Sequence, residues 1–300
     1  MIPESGAAPQ AAADLVIQGP SLPAEAIEAF RQRFPAAGLR RQTASIRLTA
    51  VGPAAAAAAP AAELATRWRC DASVVSPALR LSDFRVLAVD MDSTLIRIEG
   101  IDEVARLAGL GPEVAAITDA AMRGQIGDYS DSLRRRVALL AGTGASLLQA
   151  VAQRMELSPG AERLLAAVRE AGLRTLLVTG GFGFFARLLQ QRLGIDRVWA
   201  NEVQVQDGRL TGLVRGPGGS SDQLIDAQGK ANALKQTCIE AGCTPAQAIA
   251  IGDGANDLPM LALAGIGVAY HAKPMVRQSA AHALDYSGLD GVLEWFSDEI

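Results

Sequence analysis

The sequence predicts an α/β protein: a Rossmann-like parallel sheet with an inserted helical cap, preceded by a small N-terminal α+β module. Three observations predict it. From residue 84 onward, short β-branched apolar runs ending in glycine or acid alternate with amphipathic helical stretches, which is the pattern of βαβ units. The interval at about 97–158 breaks this rhythm with helical segments alone and is too long for a loop in a compact domain. Residues 1–83 lack the repeated βα texture, so the domains are read as 1–83 and 84–300, with the cap inside the second.

Residues 1 to about 13 are small, polar and rich in Pro and Ala, and read as a frayed tail. In the module, 14–19 (DLVIQG) reads as a strand, 23–34 (PAEAIEAFRQRF) as a helix opened by Pro, and 41–51 (RQTASIRLTAV) as an alternating strand. Residues 51–60 (VGPAAAAAAP) look like a low-complexity connection and 63–75 (ELATRWRCDASVV) like a second helix. Core strands are expected at 85–90, 174–181, 197–205, 248–253 and 266–270. Core helices are expected at 161–172, 184–194 and 230–242, with apolar residues at i, i+3, i+4 and a closing Gly. The cap reads as helices at 101–111, 112–124, 128–142 and 146–155, lying over the carboxyl end of the strand before it.

The 300 residues carry 28 basic and 32 acidic side chains, a net charge of −4, so the phosphate attraction that dominates nucleic-acid binding is missing. At 49% hydrophobic and 20% charged, the chain lies far from the disordered regime. No apolar run approaches the ~20 residues of a membrane helix, and the first ten residues show no signal-peptide pattern. A soluble, cytoplasmic protein is expected. Cys70, Cys238 and Cys243 read as thiols: three is an odd number, and the C-x4-C pair has no neighbouring His for zinc. Gly229-Lys230 is followed by Ala231, so there is no Walker A motif, and no G-x-S-x-G elbow exists. Of the two histidines, His271 ends the last apolar strand, where it could line the site, and His282 reads as a surface residue of a polar C-terminal helix.

In open parallel sheets, ligands bind beyond the carboxyl ends of the strands. Two acidic clusters fall there: Asp90-Met91-Asp92 after 85–90, and Asp253-Gly254-Ala255-Asn256-Asp257 after 248–253. Crowded carboxylates raise one another's pKa and call for a cation, and an all-oxygen set suits Mg²⁺. Asp90 and Asp92 are two residues apart, so that one can attack a phosphoryl group while the other handles protons. Thr179-Gly180-Gly181 adds a hydroxyl and amides free of Cβ, and Lys230, opening a helix, adds an ammonium at a positive helix end. Together they suit phosphoryl transfer, in which positioning and charge do most of the work.

DMDSTLI (90–96), TGGF (179–182), GK (229–230) and GDGANDLPM (252–260) resemble the four motifs of the haloacid-dehalogenase superfamily. The flanking DMDSTLIRIEGIDEVA (90–105), SLRRRV (132–137), DAQGKANAL (226–234) and GVAYHAKP (267–274) are similar to its phosphoserine phosphatases, over roughly 84–296. The resemblance implies Asp90 as the phosphorylated nucleophile and Asp92 as general acid/base. It implies Mg²⁺ held by Asp90, the Asp92 carbonyl and Asp253, with Asp257 in support. Thr179, Lys230 and the Gly180 amide would hold the phosphoryl group, although the family usually has Ser where Thr179 stands. Asn256 matches a position on the substrate side, and Met122 and Tyr129 match cap positions packing around the substrate. Glu99 would read the substrate's amino group and Arg134 its carboxylate, a pairing that selects a zwitterionic amino acid. The reaction implied is hydrolysis of O-phospho-L-serine, the last step of serine biosynthesis. The rivals are a phosphatase or phosphotransferase for another small amino-alcohol phosphate, and a non-catalytic serine-sensing protein. The first 83 residues would be a degenerate ACT-like module that binds amino acids or supports a homodimer.

Overall fold

The computed structural model describes residues 12–42, 44–123, 125–220 and 223–297, and of Met122 the backbone only. Most of the expected N-terminal tail lies outside the described residues. The chain forms two compact units, Met1–Asp83 with Ala283–Ile300, and Phe84–His282.

The first unit is a βαββαβ arrangement: β1 (Ala12–Gln18), α1 (Ala24–Arg33), β2 (Gly38–Arg41), β3 (Ser45–Pro53), α2 (Ala54–Trp68) and β4 (Asp71–Val75). Its antiparallel sheet has the order β2-β3-β1-β4. Leu15, Ile17, Ile46 and Leu48 pack in one core with Phe30 and Phe34 of α1 and Ala57, Ala61 and Ala65 of α2. Two expectations are corrected here. The alanine run is helix, because Ala is the strongest helix former and α2 buries an Ala stripe, even with Pro60 inside it. The second expected helix, 63–75, stops at Trp68; after the left-handed Arg69 (φ 53°), DASVV continues as an alternating strand. Residues 283–297, read from sequence as part of the second domain, belong to this unit. Asp71 accepts backbone N–H bonds from Asp285, Tyr286 and Ser287, and Arg47 donates to the carbonyls of Glu294, Trp295 and Phe296 while pairing with Asp14 at 3.2 Å.

The second unit begins with β5 (Val86–Asp90), followed by the cap helices α3 (Gly100–Leu107), α4 (Gly111–Met122), α5 (Tyr129–Leu139) and α6 (Ser146–Ala152). Then come α7 (Ala161–Glu170), β6 (Arg174–Phe182), α8 (Gly183–Leu193), β7 (Arg197–Gln206), β8 (Arg209–Arg215), α9 (Ala227–Glu240), β9 (Ala248–Gly252), α10 (Leu258–Leu263), β10 (Ile266–Tyr270) and α11 (Pro274–Ser279). The order β10-β9-β5-β6-β7-β8 places β5 at the centre, parallel to both β6 and β9. β8 turns back antiparallel on β7, a strand beyond those expected. The central strands are fully buried, as a sheet covered on both faces requires. The chain leaves through β11 (His282–Leu284); His282 is thus a half-buried strand residue and not part of a surface helix, and burial pushes its imidazole down to about 4.

Candidate active site

Three adjacent strands, β9-β5-β6, deliver the acidic clusters and the Thr-Gly-Gly loop to one end of the sheet. β5 ends at buried Asp90 and enters a tight turn, Met91–Leu95, in which Ser93 takes the left-handed φ of 55°. The strain of that conformation turns the chain out of the sheet toward the cap. Within that turn, Asp92 keeps extended dihedrals (φ −68°, ψ 135°). β9 ends at Gly252; the next loop carries Asp253 and Asn256 and brings buried Asp257 back beneath Gly254, whose N–H it accepts at 3.0 Å.

Lys230 joins the two clusters. It lies in the first turn of α9, four residues past the Asp226 cap, whose carboxylate accepts the Gly229 N–H at 2.7 Å. The side chain is 1% exposed, and its Nζ donates to Asp90 Oδ1 at 2.6 Å and Asp257 Oδ1 at 2.7 Å. A buried ammonium is disfavoured by desolvation, yet the two carboxylates hold it charged. Asp90 is nevertheless pushed well above the usual carboxylate range, first by burial and then by Asp257, with Lys230 opposing and Asp253 adding to the rise. Asp253, whose Oδ1 accepts from Thr94 at 3.1 Å, is raised to about 6 by burial, Asp257 and Glu99.

Asp90, Asp253 and Asp257 offer oxygens within 4.8 Å of one another. Three carboxylates against one ammonium leave excess negative charge in a buried place, and Asp90 and Asp253 each keep an oxygen that no hydrogen bond among the described residues uses. This donor set fits a hard divalent cation. Asp257 has Lys230 and Gly254 on its oxygens, in keeping with support rather than direct ligation.

Asp92 is poised differently. Its Oδ1 accepts from the Gly100 N–H at 2.8 Å and its Oδ2 from the Thr179 hydroxyl at 3.1 Å, while burial and the nearby Glu99 lift it to about 7. A carboxyl group balanced near neutrality can give and take a proton. The Thr179 hydroxyl in turn accepts the Gly181 N–H at 2.8 Å, and a Cβ at Gly181 would collide with the Asp92 carboxylate. Asn201, fully buried on β7, was not singled out in the sequence. Its amide donates to the carbonyls of Gly180 (3.0 Å) and Ile225 (3.3 Å) and accepts from the Ile225 N–H (2.7 Å), tying the Thr-Gly-Gly loop to the approach of α9. The available signal was a polar side chain at a buried position, next to buried Ala200, in a strand whose other polar residues are more exposed.

On the cap side, Glu99 immediately precedes α3 and accepts from the Ser93 hydroxyl at 2.7 Å, and its charge acts on Asp92 and Asp253. Tyr129 lies against Gly180. Arg134, the arginine expected to face the substrate, is exposed; Arg136 is the buried one, 9% exposed. Helical spacing explains the difference in burial: Ser132, Leu133, Arg136 and Val137 form the buried face of α5, Arg136 falls seven residues after Tyr129, and Arg134 and Arg135 are exposed. The Arg136 charge acts on both Tyr129 and Asp102. Its Nε, like Asp102 Oδ1, is buried without a hydrogen-bond partner among the described residues. Asn256 is half-buried in the turn after β9. The side chain of Met122 lies outside the described residues.

The haloacid dehalogenase-like hydrolase family matches residues 87–262. A phosphoserine phosphatase of Polaromonas sp. is 52% identical over 224 residues, which are 74% of this chain and 94% of that protein. The crystal structure of a HAD family hydrolase from Salmonella enterica serovar Typhi matches with a TM-score of 0.86 at 31% identity, covering 97% of this chain and 100% of that one. An unliganded probable phosphoserine phosphatase from Vibrio cholerae matches at 0.80 and 32% identity, covering 95% and 86%. The chain belongs to the haloacid dehalogenase-like hydrolases, in their phosphoserine phosphatase family.

Proposed function

We propose that this enzyme hydrolyses O-phospho-L-serine to L-serine and phosphate, the closing step of serine biosynthesis, in the cytoplasm; no helix among the described residues is long and apolar enough to cross a membrane. The observation that carries the reading is the buried Asp90–Lys230–Asp257 bridge, with Asp92 held near neutrality beside it. Lys230 occupies Oδ1 of Asp90 and leaves Oδ2 for attack on phosphorus. As that P–O bond forms, the bond from phosphorus to the serine oxygen breaks, and Asp92 gives its proton to the departing alkoxide. Asp92 then takes a proton from a water molecule, which attacks the aspartyl phosphate, frees inorganic phosphate and regenerates Asp90. Mg²⁺, held by Asp90, Asp253 and the Asp92 carbonyl with Asp257 in support, would offset the charge of the phosphoryl oxygens when bound.

Glu99 reads the ammonium of the substrate, and Arg136, not Arg134, takes its carboxylate; Thr179, Gly180 and Lys230 hold the phosphoryl group, with Asn256 on the serine side. The first unit serves to pair two copies of the chain. Phosphate release from phosphoserine, phosphoethanolamine and other phosphorylated metabolites, with and without EDTA, tests the reading. Mg²⁺-dependent release with phosphoserine preferred supports it; release unaffected by EDTA, or a preference for a substrate lacking the carboxylate, refutes it.

A further inference from the structure

The polar tip of Tyr129, a cap side chain, reaches the Thr-Gly-Gly loop. It opens α5, and its place is fixed by Asp128, whose carboxylate accepts the Asp131 N–H at 2.7 Å. The phenol rests on Gly180: a Cβ there would overlap the hydroxyl and come within 2.7 Å of Cζ and 2.9 Å of Cε1. Only glycine admits that approach. The charges of Lys230, Arg136, Asp92 and Asp90 act on the phenol.

Two facts give the hydroxyl a task. The Thr179 hydroxyl has a single proton and directs it to Asp92, so it donates to a phosphoryl oxygen only by giving up that bond. The Tyr129 hydroxyl, by contrast, donates to no described residue. A phenol is a protonated donor throughout the neutral range, and burial pushes this one further up, to about 12. We propose that the Tyr129 hydroxyl donates a hydrogen bond to a phosphoryl oxygen of the bound substrate, making it a cap-borne phosphate ligand and not only a packing residue. This deepens the reading above and rests on it for the identity of the substrate.

Tyr129→Phe keeps the ring on Gly180 and removes only the hydroxyl. In the full-length, Mg²⁺-loaded enzyme, kcat/KM for phosphoserine should fall about tenfold to a hundredfold, the range expected for a hydrogen bond to a charged group. The inhibition constant of inorganic phosphate should rise about tenfold, while that of L-serine stays within twofold. The proposal is overturned if kcat/KM and the phosphate constant both stay within twofold of wild type. It is equally overturned if phosphate and serine weaken alike, since that reports a displaced cap. Should the wild type release nothing from phosphoserine, the substrate reading fails, and calorimetric titration of inorganic phosphate into both Mg²⁺-loaded proteins decides the hydroxyl's role: about tenfold weaker binding to the variant supports it, equal binding overturns it.

Discussion

The floor and the roof of the crevice are built on opposite principles. On the floor, the ends of β5, β6 and β9 hold buried charges in mutual bonds: Lys230 to Asp90 and Asp257, Asp92 to Thr179 and Gly100, Asp253 to Thr94. In the roof, Arg136 Nε and Asp102 Oδ1 are buried with no partner among the described residues, and the Tyr129 hydroxyl lies against Gly180. Chemistry needs groups fixed before the substrate arrives, so the floor orients its charged groups through bonds to one another and leaves open, among the described residues, one oxygen of Asp90 and one of Asp253. Recognition needs donors and acceptors that only the substrate completes, so the roof leaves them open.

If the floor is where the chemistry resides, Asp90→Asn should lower turnover by on the order of 10⁴-fold or more while leaving the fold intact. Phosphate release under saturating phosphoserine measures it. Activity within tenfold of wild type would move the nucleophile elsewhere and dissolve the contrast.

Lys230→Met tests whether the floor's charges are also structural. Removing the ammonium strands two buried carboxylates, so urea unfolding should show a loss of about 3–5 kcal/mol, beside the loss of activity. Lys230→Met/Asp257→Asn should recover part of that stability and none of the activity. A single variant as stable as wild type would mean that the bridge does not hold the floor together.

The roof makes a smaller and more selective prediction. Arg136→Ala should lower kcat/KM for phosphoserine about tenfold to a hundredfold and leave phosphoethanolamine within about threefold, because only the first has a carboxylate to grip. Arg134→Ala should stay within about twofold on both substrates. Equal losses for the two arginines would show that burial on α5 does not choose the ligand.

The same contrast explains what the sequence made legible. Floor residues stand at strand ends and helix starts, where topology alone gathers them, so Asp90, Asp92, Thr179, Lys230 and Asp253 were readable from motif order. The choice among Arg134, Arg135 and Arg136 depended on the phase of one helix, which three like residues in a row conceal. Asn201 acts through backbone groups of Gly180 and Ile225, contacts with no periodicity to betray them. In the first unit, the alanine run hid a helix behind low complexity, and β4 was hidden by its direct continuation from α2. Residues 283–297 join that unit through bonds from Arg47 and Asp71, more than 200 residues away in sequence, and no local pattern marks such bonds.

The smallest effect expected is also the one most specific to an unsatisfied roof. Burial and then Glu99 raise the Asp102 carboxyl from its ordinary value, with Arg136 opposing, so the pH range over which it ionises moves upward. A carboxyl group whose pKa is higher folded than unfolded binds more protons in the native state, so its contribution to stability falls as pH rises through that range. At pH 7 the ionised Asp102 therefore weighs against the fold, and Asp102→Asn, isosteric and neutral, removes that burden. The melting midpoint of the substrate-free variant should be slightly above wild type at pH 7, by no more than about 2 °C for a partly exposed group, and the gap should narrow as the pH is lowered toward 4. Phosphoserine should then separate the two proteins further, because Arg136 loses its opposing charge at the moment it is asked to hold a carboxylate. A variant less stable than wild type at pH 7, or a gap that widens in acid, would mean that Asp102 is already satisfied and that the roof is as closed as the floor.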